Sequence, residues 1–221
     1  SVRAVETAMM GDQKVYLVTQ RNPQQEVPTA ADLYQMGTVS QIKQIVKMPN
    51  GILRVMVEGL ERAALLTLFE DGQYLEAEIE DAPMQEEQLS DTVKEAMSRI
   101  VKEKLEEFGN ANPKAVKDFI GSLLVITDLE PLLTQTANEF PWDFAVKQEL
   151  LECDYVSHLY DRIVYYLMRE IEILMIKRDY QGKVKEHIDK NQRDYILREE
   201  LKVIREELGD DGPNTEAAAF R

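Results

Sequence analysis

The distribution of helix-breaking residues constrains this chain more than any other feature. No proline occurs between Pro141 and Pro213, and Gly182 is the only glycine in that interval before Gly209. Proline and glycine are the residues that most often end a helix. We therefore predict one helix over residues 155–208, which at 1.5 Å per residue would be roughly 80 Å long. A helix of that length is expected to project from a small domain.

Apolar residues recur along the predicted helix at steps of four and three, the spacing of helices that pack against each other. The first run is Val156, Tyr160, Ile163, Leu167, Ile171 and Leu174. The second run is Leu197, Leu201, Ile204 and Leu208. The stretch between them is much more polar. We predict that the first run packs into a helical bundle and that the second associates with another helix, which a second subunit could supply.

The first 82 residues have the sequence pattern of antiparallel strands after a short opening helix that ends at Gly11. A buried strand is predicted at Val15–Thr19, and another is expected to begin at Gly37 and run to about residue 48. Asn50–Gly51 predicts a type I′ hairpin, because both central residues of that turn need positive φ. Apolar and polar residues alternate after Asn50–Gly51 and again after Asp71–Gly72, which predicts two half-buried strands. Their apolar residues are Leu53, Val55 and Val57 in the first and Leu75, Ala77 and Ile79 in the second.

From Met84 onward the apolar residues repeat with the helical period of 3.6. The first apolar stripe consists of Leu89, Val93, Met97, Ile100, Val101, Leu105 and Phe108. Asn112–Pro113 predicts the start of the next helix, since asparagine caps helices and proline suits their first position. The apolar face of that helix is predicted at Val116, Phe119, Ile120, Leu123 and Leu124. A further helix is expected over residues 131–140, and Trp142–Asp143 should begin another.

These patterns divide the chain into four parts. We predict a β-rich domain over residues 1–82, a helical bundle over 83–154, the long helix over 155–209 and a linker over 210–221. The predicted class is therefore α+β, with a small antiparallel β domain followed by a helical bundle and one very long C-terminal helix.

The charge of the chain argues against nucleic acid as its general partner. Lys and Arg number 26 against 41 Asp and Glu, which gives a formal net charge of -15 and a sequence pI near 4.7. Such a chain repels phosphate backbones. Residues 177–205 are the exception, with nine basic and six acidic side chains. This local excess is consistent with a solvated helix face of mixed charge, or with a surface for an acidic neighbour or nucleic acid.

The sequence offers no set of residues with a recognisable catalytic pattern. It has neither a phosphate-binding loop nor a dinucleotide-binding glycine motif, so we expect no nucleotide cofactor. His158 and His187 lie far apart on the predicted helix, and Cys153 alone completes no metal-ligand set. Cys153 and His158 lie five residues apart on the sequence and lack a third group, which argues against a nucleophile and base. We therefore expect no catalytic residue, cofactor or metal in this part of the protein.

Compartment and membrane association follow from composition. A single cysteine cannot form an internal disulfide, and no secretory signal pattern is present, so a reducing cytoplasmic location is expected. The most apolar stretches are interrupted by charged residues before they reach the roughly 20 residues that a membrane helix needs. We expect no membrane-spanning segment.

Methionines supply the candidate binding residues. Flexible thioethers suit surfaces that accept unlike apolar partners. Met48, Met56 and Met84 fall near predicted turns or on the outer face of a predicted strand, and we predict that they contact substrate. The alternative is that they fill the core, as most methionines do.

Six segments of the chain form a recognisable series when they are taken in order: Ser1–Met9, Leu17–Gln20, Asp32–Val39, Val57–Ala63, Lys147–Glu152 and Gln192–Lys202. Together they resemble the N-terminal region of the bacterial ATP-dependent Lon proteases. The last two, KQELLE and QRDYILREELK, are the most specific, and the IREELG run at residues 204–209 completes them. Asp194 and Glu200 stand where the family usually has Glu and Gln, which are mild changes on a helix surface.

The resemblance implies a β domain of pseudo-barrel type, a helical bundle and a long helix that leads to an AAA+ ATPase. It also implies one or more strands before Ser1. The full-length protein would be an ATP-dependent serine endopeptidase with a Ser-Lys dyad, assembled as a homo-hexamer. This region would then recognise unfolded or misfolded proteins and help the subunits assemble. A purely structural oligomerisation scaffold and a nucleic-acid-binding module are the alternative hypotheses.

Overall fold

The computed structural model describes residues 2–49, 52–69, 74–115 and 119–207. The α+β class predicted from the sequence is confirmed. The chain divides into two compact units, the first ending at Met168 and the second beginning at Arg169 within the last helix. Each unit is described by itself below.

The first unit opens with a helix and a four-stranded sheet. These elements are α1 (Val2–Met10), β1 (Lys14–Gln20), β2 (Leu33–Lys47), β3 (Leu53–Phe69) and β4 (Glu76–Asp81), with a short 3-10 turn at Ala30–Asp32 before β2. All neighbouring strands are antiparallel, and their order in the sheet is that of the sequence. Four register shifts interrupt the ladders of the described strands and bend the long strands, because a bulge increases local twist. The result is an open half-barrel.

The hairpin between β2 and β3 forms where the sequence placed it. Lys47 pairs with Leu53, and the Met48 amide donates to the Ile52 carbonyl at 2.9 Å. The Asn50–Gly51 turn and the Asp71–Gly72 turn lie outside the described residues. The buried part of β3 lies further along the strand than the predicted apolar run, at residues 63 and 65, whereas Val57 is 37% exposed.

Strand β2 begins at Leu33, so the prediction that Gly37 opens it was wrong. Leu33 is buried and pairs with Gln20 on β1. Gly37 lies inside the strand, and the Tyr16 ring crosses over it, so this position has no room for a side chain. A Cβ at residue 37 would lie 2.5 Å from the Leu17 carbonyl oxygen and 2.6 Å from the Tyr16 ring. A glycine within a strand can mark such a close approach as well as a strand end.

The rest of the first unit is helical. Its helices are α2 (Asp91–Ala111), α3 (Pro113–Ala115), α4 (Gly121–Leu124), α5 (Leu129–Glu139), α6 (Phe144–Leu151) and the start of α7 (Val156–Glu207). Helix α2 begins seven residues later than predicted, because the Ser90 hydroxyl caps it by accepting from the Val93 amide at 3.3 Å. Asp143 caps α6 in the same way, as the sequence indicated.

The predicted apolar stripe of α2 is only partly buried. Val101, Leu105 and Phe108 lie in the core, but Val93 and Ile100 are 41% and 39% exposed. Ser98, which the pattern left out, is buried in their place. The buried arc of the helix is therefore narrower than the predicted stripe.

An aromatic cluster fills the centre of the helical core. Phe140 is 1% exposed, and its ring centroid lies 4.9 Å from that of Phe108, 5.2 Å from Phe119 and 4.6 Å from Trp142. Pro113 begins α3, as Asn112–Pro113 predicted, and Asn112 is also the C-cap of α2. On the apolar face predicted for the helix after Asn112–Pro113, residues 120 and 123 are buried. Val116 lies outside the described residues.

Helix α7 has 52 residues, so the prediction of one helix over 155–208 is confirmed as far as residue 207. Leu208 lies outside the described residues. In the second unit, every described residue from 175 to 207 is exposed, and a Cβ at Gly182 would meet no atom within 4 Å. Within the described ranges, no helix is long and apolar enough to cross a membrane.

Candidate functional site

The end of the β2–β3 hairpin carries a cluster of exposed apolar side chains, which we call the hairpin patch. It consists of Val46, Met48, Ile52 and Met56, whose exposed fractions are 40%, 37%, 58% and 60%. Val46 lies opposite Arg54 and Met56 opposite Gln44, so Val46 and Met56 share one face of the two-stranded end. Apolar side chains that the fold leaves in water at a strand end are available to a partner.

Ion pairs surround this end of the sheet. Lys43 Nζ lies 2.5 Å from Glu58 Oε2, and Lys47 Nζ lies 3.8 Å from Glu6 Oε1 on α1. All four side chains are at least half exposed, so these pairs contribute little to stability. The hairpin patch is positioned by the backbone ladder, and its rim carries both signs of charge.

The third predicted substrate contact, Met84, lies elsewhere. It follows β4, whose last residue Asp81 pairs with Ala63. Ala63 is seven residues along β3 from Met56, which corresponds to roughly 23 Å of strand. The structure therefore brings Met48 and Met56 to one hairpin end and places Met84 just after β4, whose last residue pairs with the middle of β3.

Met84 lines an open groove of about 1030 Å³ in the helical half of the first unit, which we call the bundle groove. Its walls come from residues 84–89, the first half of α2 and residues 127–131. Apolar side chains in it include Leu89 and Val156, and its charged residues are Lys94, Arg99, Lys102, Glu86, Glu87, Asp91, Glu95, Asp128 and Glu130. A groove with both kinds of charge and an apolar part can accommodate an extended peptide.

Two hydrogen bonds to the region before and at the start of α7 hold the groove's irregular wall. The Gln85 amide donates to the Asp154 carbonyl at 2.7 Å, and the Ser157 amide donates to Glu87 Oε2 at 3.0 Å. Hydrogen bonds from the Ser157 side chain and from its backbone amide lower the pKa of the Glu87 carboxyl, because they favour the charged form. Residues 84–89 are thus fixed to the helices without being helical themselves.

The sheet and the helical bundle are joined by Arg62, which the sequence reasoning did not single out. Its Nη1 donates to the Cys153 carbonyl, and its Nη2 lies 3.6 Å from Asp154 Oδ1. The Arg62 side chain is 13% exposed. Gln148 on α6 adds a second tie by donating to the Met36 carbonyl at 2.9 Å. An arginine directly before the apolar run at residues 63–66 was the only local sign of this joint.

Glu149 organises a polar cluster on the side of α6 that faces α7 in the first unit. It accepts a hydrogen bond from the Tyr166 hydroxyl, and its Oε1 lies 3.1 Å from Arg162 Nε. The hydrogen bond to Glu149, with burial, raises the pKa of Tyr166 to about 12. Burial also raises the pKa of the neighbouring Cys153 thiol, which makes the reactive thiolate scarcer. The cluster therefore links α6 to the first part of α7 through polar contacts.

The residues predicted to associate with another helix are exposed in the second unit. Leu197, Leu201 and Ile204 are 50%, 53% and 50% exposed. Leu208 lies outside the described residues. Among the residues that the structure describes, no three His, Cys, Asp or Glu side chains are grouped so that they could hold a metal ion.

Comparison with known proteins decides the family. The model of the ATP-dependent protease La (LON) substrate-binding domain matches residues 1–169. The chain belongs to this family. It is 40% identical over 210 residues to the Lon protease of Lachnoclostridium phytofermentans, covering 95% of this chain and 26% of that protein. It is 32% identical over 223 residues to the Lon protease of Escherichia coli K12, covering 100% of this chain and 28% of that protein.

A solved structure agrees with the fold of this Lon family member. The N-terminal domain of the Mycobacterium avium complex Lon protease superimposes with a TM-score of 0.56 at 18% identity, over 75% of this chain and 84% of that one. The resemblance to Lon proteases inferred from six sequence segments is thus confirmed. The chain spans about a quarter of the length of the curated relatives that it matches.

Proposed function

We propose that this chain captures unfolded or misfolded protein segments for a Lon protease and takes no part in its chemistry. Membership of a substrate-binding family supports a recognition role. The observation that carries the rest is the hairpin patch, where Met48 and Met56 are exposed at the end of a two-stranded ladder. Their flexible thioethers can adapt to unlike apolar side chains, which is what capture of many unfolded sequences requires.

We propose that capture works through weak and repeated contacts. Four partly exposed apolar side chains offer a small area, so the affinity of one copy should be low. In a homo-hexamer, six copies would raise the effective concentration of binding sites without new contacts. The ATPase and the Ser-Lys peptidase of a cytoplasmic, ATP-dependent serine endopeptidase would lie in the rest of the protein, and the long helix would lead to them.

Within this proposal each part of the chain has its own role. Residues 1–82 hold the hairpin patch, residues 83–154 form the bundle, residues 155–209 connect to the motor and residues 210–221 are a linker. The bundle groove beside Met84 is a second candidate surface, since it is open and has apolar and charged walls.

Site-specific crosslinking distinguishes the two surfaces. A photoreactive side chain would replace Met56, Met84 or Met175 in turn, and Met175 is the control because it is 60% exposed, like Met56, but lies on α7. The probe is one small disulfide-bonded protein, native or reduced and carboxymethylated. The proposal predicts crosslinks from position 56 to the unfolded form, few to the native form and few from position 175. Equal yields from positions 56 and 175 would reject the hairpin patch.

A structural scaffold is the second candidate function. The observation that favours it is the row of exposed apolar residues Leu197, Leu201 and Ile204, spaced by four and three on one side of α7. Such a row can pair with another helix and fix the geometry of an oligomer. Nucleic-acid binding is the third, and rests on the basic excess of residues 177–205. The net charge of -15 of the whole chain argues against nucleic-acid binding. If nucleic acid did bind, the affinity would depend steeply on salt concentration.

A further inference from the structure

The acidic residues of the exposed part of α7 leave one side of the helix free between residues 177 and 196, whereas its basic residues occur all around the helix. With about 100° between successive residues, Tyr180, Val184, Lys177, Ile188 and Lys185 fall within an arc of about 140°. We call this arc the basic face. Between residues 177 and 196 no Asp or Glu falls in that arc. The acidic residues of this stretch lie on the other side of the helix.

The basic face is apolar as well as positive. Tyr180, Val184 and Ile188 are 65%, 56% and 49% exposed, and they line shallow depressions along the helix together with Lys177 and Lys185. Asp179, on the far side, is paired with Lys183 at 2.7 Å. An apolar strip bordered by lysines, with the carboxylates turned away, fits a partner that is both apolar and acidic.

The outer face of β3 and β4 has the complementary combination. Glu76, Glu78 and Glu80 alternate along β4 and therefore share one face of the sheet. All three are exposed, and Glu76 lies opposite Phe69, which is 49% exposed. We call Phe69 with these three glutamates the acidic face. Among the described residues, β4 has no strand on its outer side.

The spacing of the charges on the two faces is similar. Lys177 and Lys185 are eight residues apart on a helix, or about 12 Å. Glu76 and Glu80 are four residues apart on a strand, or about 14 Å. One pair of lysines can therefore lie against the two ends of the glutamate row, with Phe69 meeting the apolar strip at the Glu76 end.

We propose that the basic face of one copy of this chain binds the acidic face of a second copy. The chain carries a net charge of -15, so copies repel each other unless a positive surface meets a negative one. Two basic faces would oppose lysine to lysine, which disfavours symmetric pairing through this surface. The contact is heterologous, and its repetition generates a ring if the rotation closes.

The basic face lies on the opposite side of α7 from the predicted association row. Leu197, Leu201 and Ile204 are centred roughly 190° around the helix from the basic face when each residue turns by about 100°. A partner on that row and a second copy on the basic face would not compete. The two surfaces can be tested separately.

The experiment is sedimentation velocity of the whole chain over a range of concentrations at low and high salt. One variant reverses the basic face with Lys177→Glu and Lys185→Glu, and another reverses the acidic face with Glu78→Lys and Glu80→Lys. Each variant alone should associate about tenfold more weakly than the parent, because like charges then meet. An equimolar mixture of the two variants should recover the association, since one partner has each intact face.

Matched controls change the net charge equally on the far side of the helix. Glu186→Lys with Asp189→Lys matches the acidic-face variant, and Lys190→Glu with Arg193→Glu matches the basic-face variant. The proposal requires that both controls associate as the parent does. It is overturned if the parent stays monomeric at all concentrations, if the controls weaken association as much as the face variants, or if mixing the face variants restores nothing.

Discussion

Arg62 on β3 donates a hydrogen bond to the carbonyl of Cys153, 91 residues away at the end of α6. The same guanidinium lies 3.6 Å from Asp154, and neither its Nε nor its Nη2 makes a hydrogen bond among the described residues. One largely buried charge therefore links the sheet to the helical bundle. The packing of the sheet against the helical bundle depends on this joint.

Replacing Arg62 should test that dependence. We expect Arg62→Met to lower the free energy of unfolding by about 1–3 kcal/mol, because the buried Cys153 carbonyl loses its donor. Chemical denaturation measures the change. Arg99→Met is the control, since Arg99 makes an exposed pair with Glu95 whose loss should cost at most about 0.5 kcal/mol. Equal losses for the two variants would contradict the assigned role of Arg62.

The Tyr166–Glu149 hydrogen bond predicts a pH dependence. The pKa of Tyr166 is raised from 10.0 to about 12 in the folded chain. The stabilisation from this hydrogen bond is therefore fully present below pH 10, the pKa of the tyrosine in the unfolded chain. It is lost as pH rises through about 12, the pKa in the folded chain. At neutral pH, Tyr166→Phe should be less stable than the parent by about 1.5–3 kcal/mol, and this difference should shrink at alkaline pH.

The adjacent Tyr165 provides the control for that measurement. It is 54% exposed, so Tyr165→Phe should change stability by no more than about 0.5 kcal/mol. Denaturation of the three proteins at neutral and alkaline pH compares them directly. A stability difference for Tyr166→Phe that stays constant through alkaline pH would show that the hydroxyl does not act through its ionisation.

The crossing of Tyr16 over Gly37 predicts that residue 37 tolerates no side chain. Gly37→Ala should destabilise the chain by about 1–3 kcal/mol, because the backbone carbonyl of Leu17 cannot move away as a flexible side chain could. Gly59→Ala is the matched variant in β3, where the added Cβ would meet only the Thr38 methyl at 3.3 Å. Thermal unfolding should rank the Gly59 variant closer to the parent, and the reverse order would contradict the geometry.

The exposed apolar row on α7 predicts association through that side of the helix. Leu197→Asp with Leu201→Asp should reduce self-association in sedimentation experiments if the row pairs with another helix, since charges would enter the seam. Val203→Asp is the control, because Val203 is equally exposed at 52% but lies on a different side. Unchanged association of the double variant would exclude the row as an interface.

Features set by local residues were predictable from the sequence. The length of α7 follows from the missing prolines, and the β2–β3 hairpin follows from the strand runs around Asn50–Gly51. The start of α2 was misplaced because apolar spacing continues back to Met84, while the Ser90 cap decides where the helix begins.

Contacts between distant residues were not predictable in this way. Gly37 marks a close approach by Tyr16, and Arg62 finds its partner 91 residues away. Neither relationship leaves a periodic signal in one sequence. The three methionines predicted to contact substrate are likewise divided between two surfaces, because β4 pairs with residues 63–69 of β3 and not with the hairpin end, which their positions near predicted turns did not indicate.

The most direct measurement is the affinity of the chain for one protein in its native and its reduced, carboxymethylated form, with Met56→Lys and Met175→Lys compared with the parent. The proposed capture role predicts clear preference for the unfolded form at both low and high salt. Met56→Lys should weaken that binding by about tenfold, which corresponds to about 1.4 kcal/mol of lost apolar contact, and Met175→Lys should not. Equal affinity for both forms, or equal loss in both variants, would contradict substrate capture by the hairpin patch.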